Sequence, residues 1–102
     1  MENTEIIANA AEQYGFEKVN RVLTECAIDL AAASLQHQEG VKYDPTNEEH
    51  NTCKRLDLEG RIADTLIAID IICEFIDRKD VRAAVRDRMV RLSVQSQLGQ
   101  LP

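Results

Sequence analysis

Aromatic side chains are scarce in this sequence: they make up 4% of its 102 residues, and tryptophan is absent. Large rings cannot fill the interior, so Leu, Ile, Val and Ala must, and such a core favours helices over strands. Glycine and proline are few as well, four and two, so the chain divides into a few long segments. No apolar stretch approaches the roughly 20 residues that span a bilayer. The first residues, Met1 to Asn9, lack the basic flank and apolar run of a signal peptide. A soluble, cytoplasmic protein is the expectation. Basic residues are outnumbered twelve to eighteen, for a net charge of -6 and a pI of about 4.8. That balance excludes a general nucleic-acid or anionic-membrane binder, because such partners select basic faces, although a localised basic cluster is compatible with it. Cys26, Cys53 and Cys73 are odd in number and lack a CxxC or a Cys/His spacing suited to zinc, which predicts reduced, partly buried thiols. There is no Gly-rich phosphate loop, no GxSxG and no HExxH, so nucleophilic and zinc chemistry find no support.

What is present reads as helix throughout. Residues Asn3 to Tyr14 form a short arm, capped by Asn3 or Thr4, with a weak stripe of Ile6, Ile7 and Ala10; Gly15 suits the left-handed position that ends it. From Phe16 to His37 the residues Phe16, Val19, Leu23, Cys26 and Leu30 recur every three or four positions, the spacing that aligns side chains on one helical face. Ala31, Ala32 and Ala33 are small enough for a neighbouring backbone to approach, and Gly40 is expected to close the pattern. The polar stretch from Glu39 to Asn51 carries Asp44-Pro45, which disfavours helix at Asp44, and reads as a loop. A third helix spans about Thr52 to Asp77. Its Ile62, Leu66, Ile67, Ile69, Ile71, Ile72 and Phe75 cover more than a narrow stripe, so one partner helix cannot cover them, and self-association into a dimer or tetramer is predicted. Asp80 can cap a fourth helix, about Val81 to Gln97, with Val81, Ala84, Val85, Met89 and Leu92 facing inward; the tail after Gly99 is expected to fray. The fold expected over residues 1–102 is a single all-α domain, a four-helix bundle completed by oligomerisation.

Two acidic residues sit mid-helix in small or apolar surroundings, Glu25 in TECAIDL and Asp64 in RIADTL. Antiparallel packing of the second and third helices would set these carboxylates face to face. Paired carboxylates attract Mg²⁺, a hard ion held by a few carboxylates together with substrate phosphates.

The order and spacing of several segments resemble the MazG-like all-α nucleoside triphosphate pyrophosphohydrolases, in particular their short phage and bacterial forms. The segments are AAEQYG at Ala10 to Gly15, ECA at Glu25 to Ala27, IADTLIAID at Ile62 to Asp70 and RMVRL at Arg88 to Leu92. The resemblance covers most of the chain. It implies a helical dimer or tetramer that uses Mg²⁺, held by an ExxE helix and an ExxD helix, to cleave a nucleoside triphosphate to monophosphate and pyrophosphate. Glu25 matches the first acid of ExxE, but Ile28 stands at the second; Asp64 matches the acid of ExxD, but Arg61 stands in place of its Glu. Two of four expected ligands are therefore missing. Asp29 and Glu59 are shifted candidates, although one step along a helix turns a side chain by about 100°.

Arg61 brings a fixed cation to the cleft, where it can bridge Glu25 and Asp64 or grip a phosphate. Lys54, Arg55, Arg88 and Arg91 are candidate further phosphate contacts, and Asp70 is expected to find a donor across an interface. Three functions follow as expectations. The first is a degenerate MazG-like protein that binds a nucleotide or a partner with little or no hydrolysis. The second is an active Mg²⁺-dependent pyrophosphohydrolase with Glu25, Asp29, Glu59 and Asp64 as metal ligands. The third is a phage-type inhibitor or sequestering protein.

Overall fold

The computed structural model describes residues 2–99, with Tyr43 by its backbone alone. Among these residues the chain is all-helical: α1 (Asn3–Tyr43), α2 (Glu48–Ile72) and α3 (Arg78–Gln97). The expected tail after Gly99 lies outside the described residues.

α1 begins at Asn3, so neither Asn3 nor Thr4 caps it. Glu2 is the N-cap residue, and its carbonyl accepts from the backbone N–H groups of Glu5 and Ile6 at 3.1 Å each. The helix is broken once, at Gly15, whose φ of 79° and ψ of 164° lie in a region that only glycine occupies readily. This separates an N-terminal arm, residues 3–14, from a long segment, residues 16–43. The break expected at Gly15 is present; the end expected at Gly40 is not. The helix runs on to Tyr43 because Gly40 serves a close approach instead: a Cβ there would stand 3.0 Å from Asn51 Oδ1 and 3.7 Å from His50 Cδ2.

Asp44-Pro45 does end the helix, and the loop shrinks to residues 44–47. Thr46 Oγ1 donates to Asp44 Oδ1 at 2.7 Å, Asn51 Nδ2 donates to the Asp44 carbonyl at 2.9 Å, and Asn47 Oδ1 caps α2 by accepting from the His50 N–H at 3.2 Å. So compact a turn makes its neighbours antiparallel. The contacts along the hairpin confirm the direction: Lys54 meets Gln36, Arg61 meets Asp29, Thr65 meets Cys26 and Phe75 meets Phe16.

α2 ends at Ile72, five residues short of the expected Asp77, in a turn where the Phe75 N–H bonds the Ile72 carbonyl at 3.0 Å. That turn sets the Phe75 ring edge-on to Phe16, with centroids 5.6 Å apart and planes at 76°. Asp77, not Asp80, caps α3, its carboxylate accepting from the Lys79 N–H at 2.8 Å. α3 therefore starts three residues early.

The core is thin. The only buried apolar side chains among the described residues are Ala11, Val19, Ala33, Ala68 and Ile72, all on α1 and α2. Of the three consecutive alanines only Ala33 is buried. Among the described residues, helix packing is confined to α1 against α2. α3 packs on neither, so the expectation that its stripe faces inward is corrected: Val81, Val85 and Met89 are exposed, Ala84 is exposed, and Leu92 is only part-covered. Amphipathic spacing reveals a face without revealing what covers it. Among the described residues no helix is long and apolar enough to cross a membrane.

Candidate functional site

α1 and α2 meet at Cys26 and Thr65. Thr65 is buried; its hydroxyl donates to the Arg61 carbonyl one turn back at 2.8 Å and lies 3.3 Å from the Cys26 carbonyl on α1. Glu25 and Asp64 are the chain neighbours of this pair, so the register brings them to one level of the hairpin. Both are exposed, and neither side chain takes part in an ion pair or hydrogen bond among the described residues.

Arg61 does not bridge them. Its guanidinium reaches Asp29 on α1 at 3.5 Å and Asp57, one turn back on α2, at 3.7 Å. The reason is angular. Asp57 is four residues before Arg61 and so shares its side of the helix, while the antiparallel register sets Asp29 opposite. Asp57 was not among the sequence candidates, yet its Asp-to-Arg spacing of four is a signal the sequence displays. Helical periodicity extends the cluster: Glu25 is one turn from Asp29, and Asp64 is two turns from Asp57, so all four carboxylates belong to the Arg61 flank.

Glu59 belongs elsewhere. It stands two residues from Asp57 and from Arg61, about 200° around the helix, and it pairs with Arg55 at 3.6 Å. The four carboxylates of the active-enzyme reading, Glu25, Asp29, Glu59 and Asp64, are therefore not brought together. No group of three or more His, Cys, Asp or Glu side chains among the described residues is placed to hold a metal ion. Mg²⁺, which the resemblance implies, finds no convergent set of carboxylates among the described residues of one chain, and Asp29 is paired with Arg61 instead. At Ile28 the side chain is 63% exposed, so an apolar group faces solvent where a ligand oxygen is expected.

The basic candidates also separate. Lys54 Nζ hydrogen-bonds Gln36 Oε1 at 3.4 Å across the hairpin. Arg88 donates to the Ala84 carbonyl at 3.4 Å, and Arg91 pairs with Asp87 at 3.3 Å. Both arginines are on α3, which does not pack on the hairpin, so Lys54, Arg61, Arg88 and Arg91 do not form one phosphate site within the chain.

Within the single chain, Asp70 has a partner in Arg78. Arg78, the first residue of α3, donates to Glu74 Oε2 at 2.9 Å and to the Asp70 carbonyl at 3.3 Å, and stands 3.9 Å from Asp70 Oδ1. The Glu74 hydrogen bond holds the guanidinium above its ordinary range against the opposing desolvation, with the charges of Glu74, Cys73 and Asp70 adding. This knot fixes the root of α3. A separate apolar groove of about 250 Å³ is lined by residues that include Tyr14, Val22, Ala68 and Ile71. The three thiols are unpaired, and Cys53 is exposed rather than part-buried.

Compared with known proteins, the chain matches no family model, no curated protein and no solved structure.

Proposed function

We propose that this chain is a MazG-like helical protein that no longer hydrolyses nucleotides and instead binds a protein partner through the Arg61 flank of its hairpin. One observation carries the reading: where the resemblance expects carboxylates to converge on a metal, Arg61 is tied to Asp29 and Asp57 and Ile28 is turned to solvent. Each of these ion pairs is about half exposed, so each contributes only about 0–1 kcal/mol and can be exchanged for a partner's contacts. Glu25, Asp29, Asp57 and Asp64 outnumber the three cations that the same spacing places with them, Arg21, Lys54 and Arg61. A free triphosphate tail meets net repulsion on such a surface, while a basic protein segment meets attraction. Electrostatics thus favours a partner over a nucleotide.

The test is a turnover assay with Mg²⁺ over a panel of nucleoside triphosphates, run on the wild-type chain and on the double variant Ile28→Glu, Arg61→Glu. The wild type is expected to release no pyrophosphate above background. The double variant restores two carboxylates and frees Asp29 and Asp57 from their cation, and a large gain in metal-dependent turnover is expected. Efficient hydrolysis by the wild type would overturn the proposal in favour of an active enzyme. No gain in the variant would point to a different working geometry.

A further inference from the structure

The break at Gly15 does more than bend α1. The arm before it carries Tyr14 and the segment after it carries Val22, and with Ala68 and Ile71 from the last turns of α2 they wall the apolar groove. Tyr14 is 49% exposed and Val22 43%, whereas Ala68 is buried, so the groove has a closed floor and an open mouth. Its volume of about 250 Å³ falls short of the roughly 300–1,000 Å³ of pockets that enclose a whole small molecule. It suits a single large apolar side chain.

Helical periodicity sets this groove and the Arg61 flank on one line. On α1, Lys18, Val22, Glu25 and Asp29 recur every three or four residues; on α2, Ile71, Ala68, Asp64, Arg61 and Asp57 do so in the opposite direction, and each set falls within about 80° of arc. The pairing of Arg61 with Asp29 and the joint lining of the groove by Val22 and Ala68 fix both sets to the same side of the hairpin. The charges along this line are ordered. At the arm end Lys18 holds its Nζ 4.8 Å from the centroid of the Tyr14 ring. One turn beyond Val22 and Ala68, about 5–6 Å along the axis, are Glu25 and Asp64, whose carboxylates have no partner among the described residues. Against these two stands one cation, Arg21, at the margin of the line. Farther on, Asp29 and Asp57 are already held by Arg61.

From the groove and the two carboxylates one turn beyond it we infer what the partner presents: a short extended segment whose large apolar side chain enters the groove and whose Lys or Arg, two residues on, reaches Glu25 and Asp64. Two residues of extended chain span about 6–7 Å, which matches the step from groove to carboxylates. Lys18 sets the direction, since a base on the other side of the anchor meets its own sign and an acid there meets the opposite one. The buried apolar side chain supplies affinity, and the charges supply register. This inference rests on the reading of the chain as a partner-binding protein and adds the chemistry of the partner.

The chain has no tryptophan, so the fluorescence of one in a probe peptide reports binding without background. The probe is the pentapeptide Glu-Gly-Trp-Gly-Lys with both ends blocked, titrated with the full chain at low salt. Saturable binding with a blue-shifted emission and a Kd below about 1 mM is expected; no saturation by that concentration overturns the inference. Replacing the Lys of the peptide by Glu, or combining Glu25→Gln with Asp64→Asn in the chain, is expected to weaken binding on the order of tenfold, a loss that shrinks as salt is raised. Binding indifferent to both changes overturns the role given to the carboxylates. Val22→Ser and Tyr14→Ala, tested separately with helicity checked by circular dichroism, change side chains that are nearly half exposed, and each is expected to weaken binding at least about threefold. Binding indifferent to both places the anchor elsewhere and overturns the inference. The nucleotide turnover assay on the same sample separates the two levels: hydrolysis by the wild type overturns the reading beneath, whereas no hydrolysis together with no peptide binding overturns this inference alone.

Discussion

Gly60 is a mid-helix glycine with no structural need to be one. It lies in the interior of α2, and a Cβ built on it meets nothing within 4 Å. Glycine in an exposed helix interior costs about 0.8–1.0 kcal/mol relative to alanine, through the backbone freedom lost on folding. Gly60→Ala should therefore stabilise the protein by about 1 kcal/mol, with no steric cost to set against it. For a domain of this size that is a rise in Tm of about 4–8 °C. Thermal melts followed by far-UV circular dichroism, with wild type and variant at one protomer concentration, measure it directly; the fixed concentration matters because association raises an apparent Tm by mass action. A fall in Tm would refute the reasoning, since it would mean that something outside the single chain approaches the Gly60 backbone closely enough to exclude a methyl group.

Gly15 makes the opposite prediction. Its φ of 79° with ψ of 164° is costly for any side chain, so Gly15→Ala should destabilise by about 1–3 kcal/mol, measurable as a lower urea midpoint. Thr65→Val keeps the volume of a buried side chain but removes the hydroxyl that bonds the Arg61 carbonyl beside Cys26; a loss of about 1 kcal/mol is expected, and an unchanged urea midpoint would show that the contact contributes nothing.

Helix, hairpin and break were legible because each has a local cause. The three-and-four spacing from Phe16 to Leu30, Pro45 directly after Asp44 and the glycine at position 15 act within a few residues of themselves. The boundaries that were misread depend on distant groups. Gly40 reads as a helix stop until Asn51 is seen against it. Asp77 and Asp80 are both fit to cap a helix, and only the turn that carries Phe75 onto Phe16 decides that Asp77 does so. The candidate site failed in the same way. Glu25 and Asp64 were found from their surroundings, and the crossing at Cys26 and Thr65 does bring them level. The partner of Arg61 depends on which side of each helix a residue occupies, and there Asp57 and Asp29 precede the pair expected.

The sharpest residue pattern in the sequence is the one whose meaning was hidden longest. Acidic side chains dominate up to Asp77 and basic ones dominate α3, yet the net charge of -6 averages this division away. Surface charges interact over about 8 Å at physiological salt, so the average is not what an approaching molecule meets. A polyphosphate near Arg61 meets the carboxylates of Glu25, Asp29, Asp57 and Asp64. Arg61, paired with Asp29 and Asp57, adds a cation where anions would otherwise face one another, and so lets the hairpin keep its acidic flank while its helices stay close.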